Sequence, residues 1–400
     1  MQRARRALMH QGGAIDRVGD ERVAARLAQV LAQAGRVSNE RLTHGFHGYP
    51  ARMHPPLAGA ALEAFASVEG GPVLDPFCGS GTVLVEARAR GVPAVGVDLN
   101  PIALKIAAVQ CQHRDEASLA RLRAAVVRVA EGSSARVRGR VRVRAPLPVR
   151  ERAFYAPHVL LELAGLHAEV QALQSAVDLA ALEVVFSSLL VKFSRQRANT
   201  SEQIVERRIR KGLVTELFAR RGNELCDRLS DLAEVISHAG PEPPPVELVE
   251  ADARRLSEAL PPGFAAGLVL TSPPYGGTYD YVDHHARRYP WFGMSDRNLR
   301  AGEIGARRNL AQAAPGVAVR TWERELGDAL AAMARVTARE GWILLWLGDA
   351  HVGGQRLDAS RQVQALAPMA GLRFRASASQ PRPDFQGGRA RREHLIALRV

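Results

Sequence analysis

Four hundred residues with 46% hydrophobic and only 5% aromatic content supply the core of one large α/β domain with insertions, or of two domains. The formal charge of +13 is almost all arginine, since Lys105, Lys192 and Lys211 are the only lysines; it favours a polyanionic partner, although GC-rich codon usage produces the same bias. Cys78, Cys111 and Cys226 show neither metal nor disulfide spacing, no apolar run reaches the length of a membrane span, and no apolar stretch follows the basic N-terminus, so the expected setting is a reducing cytoplasm without membrane attachment.

Residues 1–42 are rich in arginine and alanine, with helical spacing at Val23, Leu27, Val30 and Leu31, and read as an N-terminal helical segment. Gly45 to Pro56 reads as a loop, and a helix from about Ala58 to Ser67 leads to Gly70-Gly71. Val73-Leu74 then enter a strand that ends at Asp75-Pro76-Phe77-Cys78. Gly79 and Gly81 follow, an alanine-rich helical pattern runs to Gly91, and Val92 to Val97 form a second strand closed by Asp98-Leu99-Asn100. Glycines without a Cβ let a ligand approach the N–H groups at a helix start, and an acid about 20 residues further on is placed to hold a ribose. The ligand implied is a nucleoside. Leu84 stands where a dinucleotide fingerprint needs its third glycine, and Asp75 with no nearby lysine suits neither a pyrophosphate nor a P-loop. A cationic nucleoside, S-adenosylmethionine (SAM), fits better.

After Pro101 a helix continues to Val109. Arg136, Arg138, Arg140, Arg142 and Arg144 alternate with valines, which predicts a half-buried ribbon presenting five guanidiniums, for a phosphate backbone or simply for solvent. From Ala156 to Ala239 the pattern is helical, with segments at 182–191 and 204–232 and a polar break at 193–201 that carries Arg195 and Arg197. The proline run 241–245 closes this insertion. Strands resume at Val246–Val249, followed by Asp252-Ala253, at Gly267–Leu270, Trp342–Leu347, Leu372–Ala376 and His394–Val400, making seven in all. Thr271-Ser272-Pro273-Pro274-Tyr275 follows the fourth of them. The next stretch holds Tyr279, Tyr281, His284, His285, Tyr289, Trp291 and Phe292, and reads as a flexible aromatic wall with Asp280 and Asp283 beside it. Adjacent histidines point apart, so no metal is expected there. Arg297, Arg300, Arg307 and Arg308 read as phosphate contacts or as a solvated rim.

Three segments together, His47–Pro55, DPFCGSGT with GVDLNP, and TSPPY, resemble the SAM-dependent DNA amino-methyltransferases, over about two thirds of the chain. The resemblance implies a Rossmann-like seven-stranded methyltransferase sheet, with the catalytic domain in residues 43–130 and 245–400; the basic ribbon and helical insertion in 131–244, which no motif of the family matches, are the candidate substrate-recognition region. It implies SAM bound by Tyr49, Pro50, Asp75, Pro76, Phe77, Gly79, Ser80, Gly81, Thr82, Asp98, Asn100, Asp252 and Ala253, with Asp252 on the adenine amino group. Ser272, Pro273, Pro274 and Tyr275 would form the catalytic turn, Tyr275 offering a stacking face to an extruded base. Tyr279, Tyr281, Arg138, Arg140, Arg195 and Arg197 would engage DNA, duplex with a flipped base or single-stranded. Ser in the first position of the tetrapeptide favours cytosine N4 over adenine N6. Membership of this family also implies site-specific methylation and a cognate restriction endonuclease as partner. An RNA guanine-N2 methyltransferase is a further alternative, for whose RNA-binding domain the N-terminus looks short, and a non-catalytic nucleic-acid-binding subunit is another.

Overall fold

The computed structural model describes residues 13–35, 41–50, 52–67, 70–198, 200–240, 242–382 and 391–400. Ala51 and Asn199, within two of the motifs above, lie outside these. In chain order the elements are β1 (Asp16–Gly19), α1 (Glu21–Ala34), α2 (Pro55–Phe65), β2 (Val73–Asp75), α3 (Thr82–Arg88), β3 (Ala94–Asp98), α4 (Pro101–Gln110), α5 (Glu116–Gly139), α6 (Val149–Arg152), α7 (Pro157–Gln171), α8 (Ala176–Phe193), α9 (Leu213–Ala239), β4 (Val246–Glu250) and α10 (Leu256–Ala259). There follow β5 (Ala266–Thr271), α11 (Tyr281–His285), α12 (Arg297–Gly302), α13 (Arg307–Gln312), α14 (Pro315–Arg335), β6 (Thr337–Gly348), the hairpin β7 (Ala350–Val352) and β8 (Gln355–Leu357), α15 (Ala359–Leu366), β9 (Arg373–Arg382) and β10 (Arg391–Arg399).

The main sheet has the order β1-β9-β10-β6-β5-β2-β3-β4. From β4 to β6 it is parallel; β10, β9 and β1 extend it antiparallel. All seven expected strands are present, and β1 is an eighth. Its sequence, Asp-Arg-Val-Gly, is exposed throughout and has no apolar alternation, so pairing with β9 rather than burial makes it a strand. Both faces of the sheet are covered, and alternate residues of β6 divide between them. Leu344 and Trp346 face α1, α2 and α3; Ile343, Leu345 and Leu347 face α14 and α15. Burial on both sides is why this strand reads as one unbroken apolar run.

A third core lies among α4, α5, α7, α8 and α9, with Tyr155, Phe186, Phe218, Leu225 and Trp291 buried in it. The expected arginine ribbon is not there. Residues 116–139 are one helix, ended by Arg140 in the left-handed region at φ 54°. Leu122, Ala125, Val126, Val129 and Ser133 bury the helical stripe, Arg136 pairs with Glu169 of α7, and Arg138 and Arg140 are exposed. Tertiary burial at helical spacing outweighs the two-residue alternation of the last few residues. The expected helical segment beginning at Ile204 is also corrected: Gln196 bridges to Ile204 across a loop, and α9 begins only after Gly212, at φ 82°.

Phe186 is fully buried, with its ring 5.2 Å from that of Trp291 and 6.3 Å from that of Phe292. It ties the bundle to the segment after the Ser-Pro-Pro turn. Phe186→Ala is expected to lower unfolding free energy by about 3–5 kcal/mol in urea titrations. A change below about 1 kcal/mol would show that this junction does not hold the bundle in place.

Candidate active site

Strand order reverses at β2: β3 and β4 lie to one side, β5 and β6 to the other. The crevice at the carboxyl ends of β2 and β5 is therefore the expected ligand position. Parallel pairing of Leu74 with Val269 sets the two strand ends side by side, Thr271 one residue beyond the level of Asp75, and the Thr271 hydroxyl donates to Asp75 Oδ1 at 2.6 Å. The N–H of Phe77 donates to the same oxygen at 3.1 Å. The Ser-Pro-Pro turn and the glycine turn thus meet at one place.

A pocket of about 800 Å³, counting space open to solvent, lies over them. Of the residues picked out from sequence, Tyr49, Asp75, Pro76, Phe77, Gly79, Ser80, Thr82, Asp98, Asn100, Asp252, Ala253, Ser272, Pro274 and Tyr281 line it. Arg52, Met53, Leu99, Leu299, Gly302, Glu303 and Ile304 are additions. Leu299 to Ile304 were not identifiable from sequence, because that stretch carries no motif and reaches the pocket only through folding of the segment after Tyr275.

The backbone explains several of these placements. Gly79 sits at φ 50°, and a Cβ there would fall 2.9 Å from the Tyr49 ring, so glycine is needed for Tyr49 to cover the turn. Gly81, at φ 85°, starts α3 but does not line the pocket. Asp98 accepts from the N–H of Gly79 through Oδ2 and from that of Asn100 through Oδ1, both at 2.8 Å. Its carboxylate therefore fixes the glycine turn as well as facing the ligand. Asn100 caps α4 and accepts from the Tyr289 hydroxyl at 3.0 Å, which leaves its buried amide nitrogen without a partner beside the pocket. At the other end Asp252 is held by Arg254, with Nε at 2.9 Å from Oδ1, and Arg254 Nη2 also donates to Gly302 O at 3.1 Å. That clasp closes α12 over Leu99.

Burial pushes Asp75 up to about 7 and Asp98 up to about 6, against the hydrogen bonds that lower each. Two acids in one pocket, each short of solvation, suit a ligand that brings positive charge and hydroxyl or amine donors. With the unpartnered Asn100 amide as a donor to the ligand and Asp252 at the far end, these residues fit SAM.

Other expectations land elsewhere. Pro50, Pro273 and Tyr279 are outside the pocket lining, and so is Tyr275. Tyr275 is 7% exposed, with its ring against Gly348. Of the expected aromatic wall, His285, Tyr289 and Trp291 are buried, so this stretch is packed rather than open; Tyr281 alone reaches the pocket, with its ring 6.3 Å from that of Tyr49. Arg195 donates to Ala153 O at 2.6 Å and Arg197 to the Gln203 side chain, both beside the bundle and outside the lining. Asp280 and Glu303 receive Arg307 and Arg308, so those two arginines brace the pocket wall.

Strand order and site together define an α/β domain with the SAM-dependent methyltransferase fold. Residues 46–137 match the family UPF0020, described as RMKL-like, methyltransferase domain. The chain is related to the Type II methyltransferase M.MvaI of Kocuria varians, 45% identical over 67 residues, covering 16% of this chain and 15% of that protein. It is similar over a longer stretch to the Type II methyltransferase M.BsoBI of Geobacillus stearothermophilus, 24% identical over 280 residues, covering 64% and 54%. It also matches a tRNA (guanine(10)-N2)-dimethyltransferase of Methanothermobacter thermautotrophicus, 42% identical over 52 residues, covering 13% and 16%. The chain thus spans about half of one of these relatives and less than a fifth of the other two. Among the described residues no helix is long and apolar enough to cross a membrane.

A carboxyl group whose folded value is raised stabilises the fold below its unfolded value, near 3.8, and that contribution is lost as pH rises through 6 to 7. Asp75→Asn keeps an acceptor for Thr271 and removes the titration. It should therefore gain stability relative to wild type between about pH 5 and 8, read by urea unfolding at both ends. Parallel pH profiles for the two proteins would contradict the raised value.

Proposed function

We propose that the protein transfers a methyl group from SAM to an exocyclic amine of a base in DNA, N4 of cytosine. One observation carries the reading: Ser272, Asp75 and Asp98 line a single pocket, although they come from distant parts of the chain. The Type II methyltransferase relatives support it. When bound, SAM supplies an electrophilic methyl on its sulfonium. The pocket would hold it by Asp98 on the ribose, Asp75 and Asn100 toward the methionine end, and Asp252 and Leu99 at the adenine.

An exocyclic amine is a poor nucleophile because its lone pair is delocalised into the ring. The Ser272 hydroxyl, which lines the pocket, and the Pro273 carbonyl beside it would accept its two hydrogens, which favours a pyramidal nitrogen with a free lone pair. Pro273 and Pro274 stiffen the turn that aims these acceptors. The pocket thiol, Cys78, is 5% exposed and burial pushes its pKa well up, so it is a poor nucleophile; this favours direct transfer without a covalent enzyme intermediate. A base within a duplex must be flipped to reach this depth. Adenine N6 is the second reading, since the same two acceptors serve either amine. The tRNA methyltransferase relative makes RNA a third.

The test is incubation with labelled SAM and mixed DNA and RNA, followed by nucleoside analysis. Label on N4-methylcytosine is expected; label on N6-methyladenine or on RNA alone overturns the choice of base or polymer. Ser272→Ala should lower turnover by roughly 10²-fold with SAM affinity kept. Asp98→Ala should abolish measurable SAM binding in calorimetry while circular dichroism shows the fold retained, and unchanged affinity would remove the ribose assignment. SAM should bind more tightly at pH 8 than at pH 5.5, because Asp75 must ionise to receive the cationic end and Asp98 to accept from both ribose hydroxyls.

A further inference from the structure

The positive charge of the chain is not spread evenly. Residues 136–152 and 192–211 hold fourteen of its 54 arginines and lysines but only three of its 41 acids, and the rest of the chain is near balance, with 40 against 38. Both stretches lie at one end of the helical insertion. Ser133 near the end of α5 meets Thr215 near the start of α9, Oγ to Oγ1 at 2.8 Å, so the residues after α5 and those before α9 emerge side by side. The two loops are also joined directly: the N–H of Arg195 donates to Phe154 O at 2.7 Å, and His158 Nε2 to Ile209 O at 2.8 Å.

Little of this charge is neutralised where it sits. Of the three acids, Glu151 and Glu202 are taken from outside by Arg287, at 2.5 Å and 2.7 Å, with Arg150 also 3.7 Å from Glu151. Arg136 finds Glu169, and Arg210 finds Glu216. Among the described residues Arg138, Arg140, Arg142, Arg144, Arg208 and Lys211 have no carboxylate partner, and all six are exposed. Like charges at this density repel one another, so an anion that spans them stabilises the face. Arg287 also fixes where the face sits. It follows α11, whose first residue, Tyr281, lines the pocket, and its guanidinium lies 3.5 Å from the Phe154 ring. One arginine thus withdraws acids from the loops and fastens the loops to the pocket wall.

We propose that this end of the insertion is the docking face for the phosphate backbone of the duplex DNA whose flipped base enters the pocket. The choice of DNA rests on the methyl-transfer reading of the pocket; the uncompensated charge stands apart from it. Duplex DNA carries one negative charge per about 1.7 Å of its axis, and releases condensed counterions when guanidiniums replace them. Contacts of this kind fix the position of the polymer without reading its sequence, which leaves the choice of base to the pocket.

Fluorescence anisotropy of the full chain with a labelled DNA duplex, titrated at several NaCl concentrations beside an RNA duplex of the same sequence, decides the matter. One variant combines Arg140→Gln, Arg142→Gln and Arg144→Gln; a second combines Arg208→Gln and Lys211→Gln. The control combines Arg335→Gln and Arg339→Gln, two exposed residues beside the amino end of β6, on the far rim of the sheet from the pocket. The triple variant is expected to weaken DNA binding roughly tenfold to a hundredfold at about 0.1 M salt and to flatten the slope of log affinity against log salt by about 2 to 3, since each lost phosphate contact removes about 0.9. The double variant should flatten it by about 1 to 2, with the control and the SAM affinity of every variant within about twofold of wild type.

The two loops are altered separately, so either variant carries the test if circular dichroism shows that the other does not fold. Unchanged affinity and slope in the folded variants overturn the face, as does an equal loss in the control or a wild type that binds no duplex DNA. Tighter binding of the RNA duplex overturns the choice of DNA. If the wild type holds duplex DNA through these residues yet methylates nothing, the face stands and the methyl-transfer reading alone fails.

Discussion

The hydrogen bond from Thr271 to Asp75 joins residues 196 positions apart, and the pocket exists because of it. It depends on parallel pairing of β2 with β5 in one register, Val73 with Leu268 and Leu74 with Val269. A slip of one residue would turn Thr271 to the opposite face of the sheet and take Ser272 with it. Asp75 is costly to bury, yet it is the group that makes the register visible to the chain. It accepts from Phe77 N and from Thr271 only when both turns are in place, so the burial cost of the acid is offset at a single pairing. The same carboxyl suits the pocket to a cationic guest.

The walls of the pocket are fixed from outside the sheet. Glu86 on α3, fully buried, receives Arg41 at 2.7 Å and His44 at 2.8 Å from the loop that carries Tyr49, and Arg90 at 2.5 Å from the turn after its own helix. Those partners hold its carboxyl down at about 2 despite burial. His47 of the same loop reaches Ser187 of α8 at 3.2 Å, Tyr289 reaches Asn100, and Arg287 pairs with Glu151 at 2.5 Å and Glu202 at 2.7 Å while stacking 3.5 Å from the Phe154 ring. The helical insertion is therefore joined to the pocket through directional polar contacts as well as through its own apolar core. Removing one partner from such a contact leaves a buried group unsatisfied, which makes the junction stiff rather than sliding.

What could be read from sequence follows from how local the cause is. The seven strands carry either a continuous apolar run or an alternation with turn residues at their ends, and Gly79, Asp98 and Asn100 act within 25 residues of one another, so each is legible. β1 is not, because its only cause is an edge of β9 reached across the whole chain. Arg138 and Arg140 misled for the converse reason: a short alternation is a local signal, and the burial of Leu122 to Ser133 against other helices overrules it. The place of Leu299 to Ile304 depends on Arg254 and Leu99 beneath Gly302, and that of Tyr275 on Gly348 of β6 and Glu393 of β10. No spacing within the motif encodes the missing side chain at Gly348.

The arginine excess also looks different once partners are assigned. Arg114 is 1% exposed and bonds Asp178 and the Val177 carbonyl; Arg254 clasps Asp252 and Gly302; Arg308 joins Glu303, Asp280 and Arg300 O; Arg288 is buried on the His284 carbonyl. A guanidinium has five donors on a rigid plane and can serve a carboxylate and one or two carbonyls at once, which an ammonium does less well. Much of the positive charge is thus committed inside the protein, stitching together helix ends and loops that the low aromatic content leaves short of large side chains. Net charge alone would have pointed to a polyanion for the wrong residues. The case for a nucleic acid rests instead on the methyltransferase relatives and on a pocket that Asp75, Asp98 and Ser272 line together.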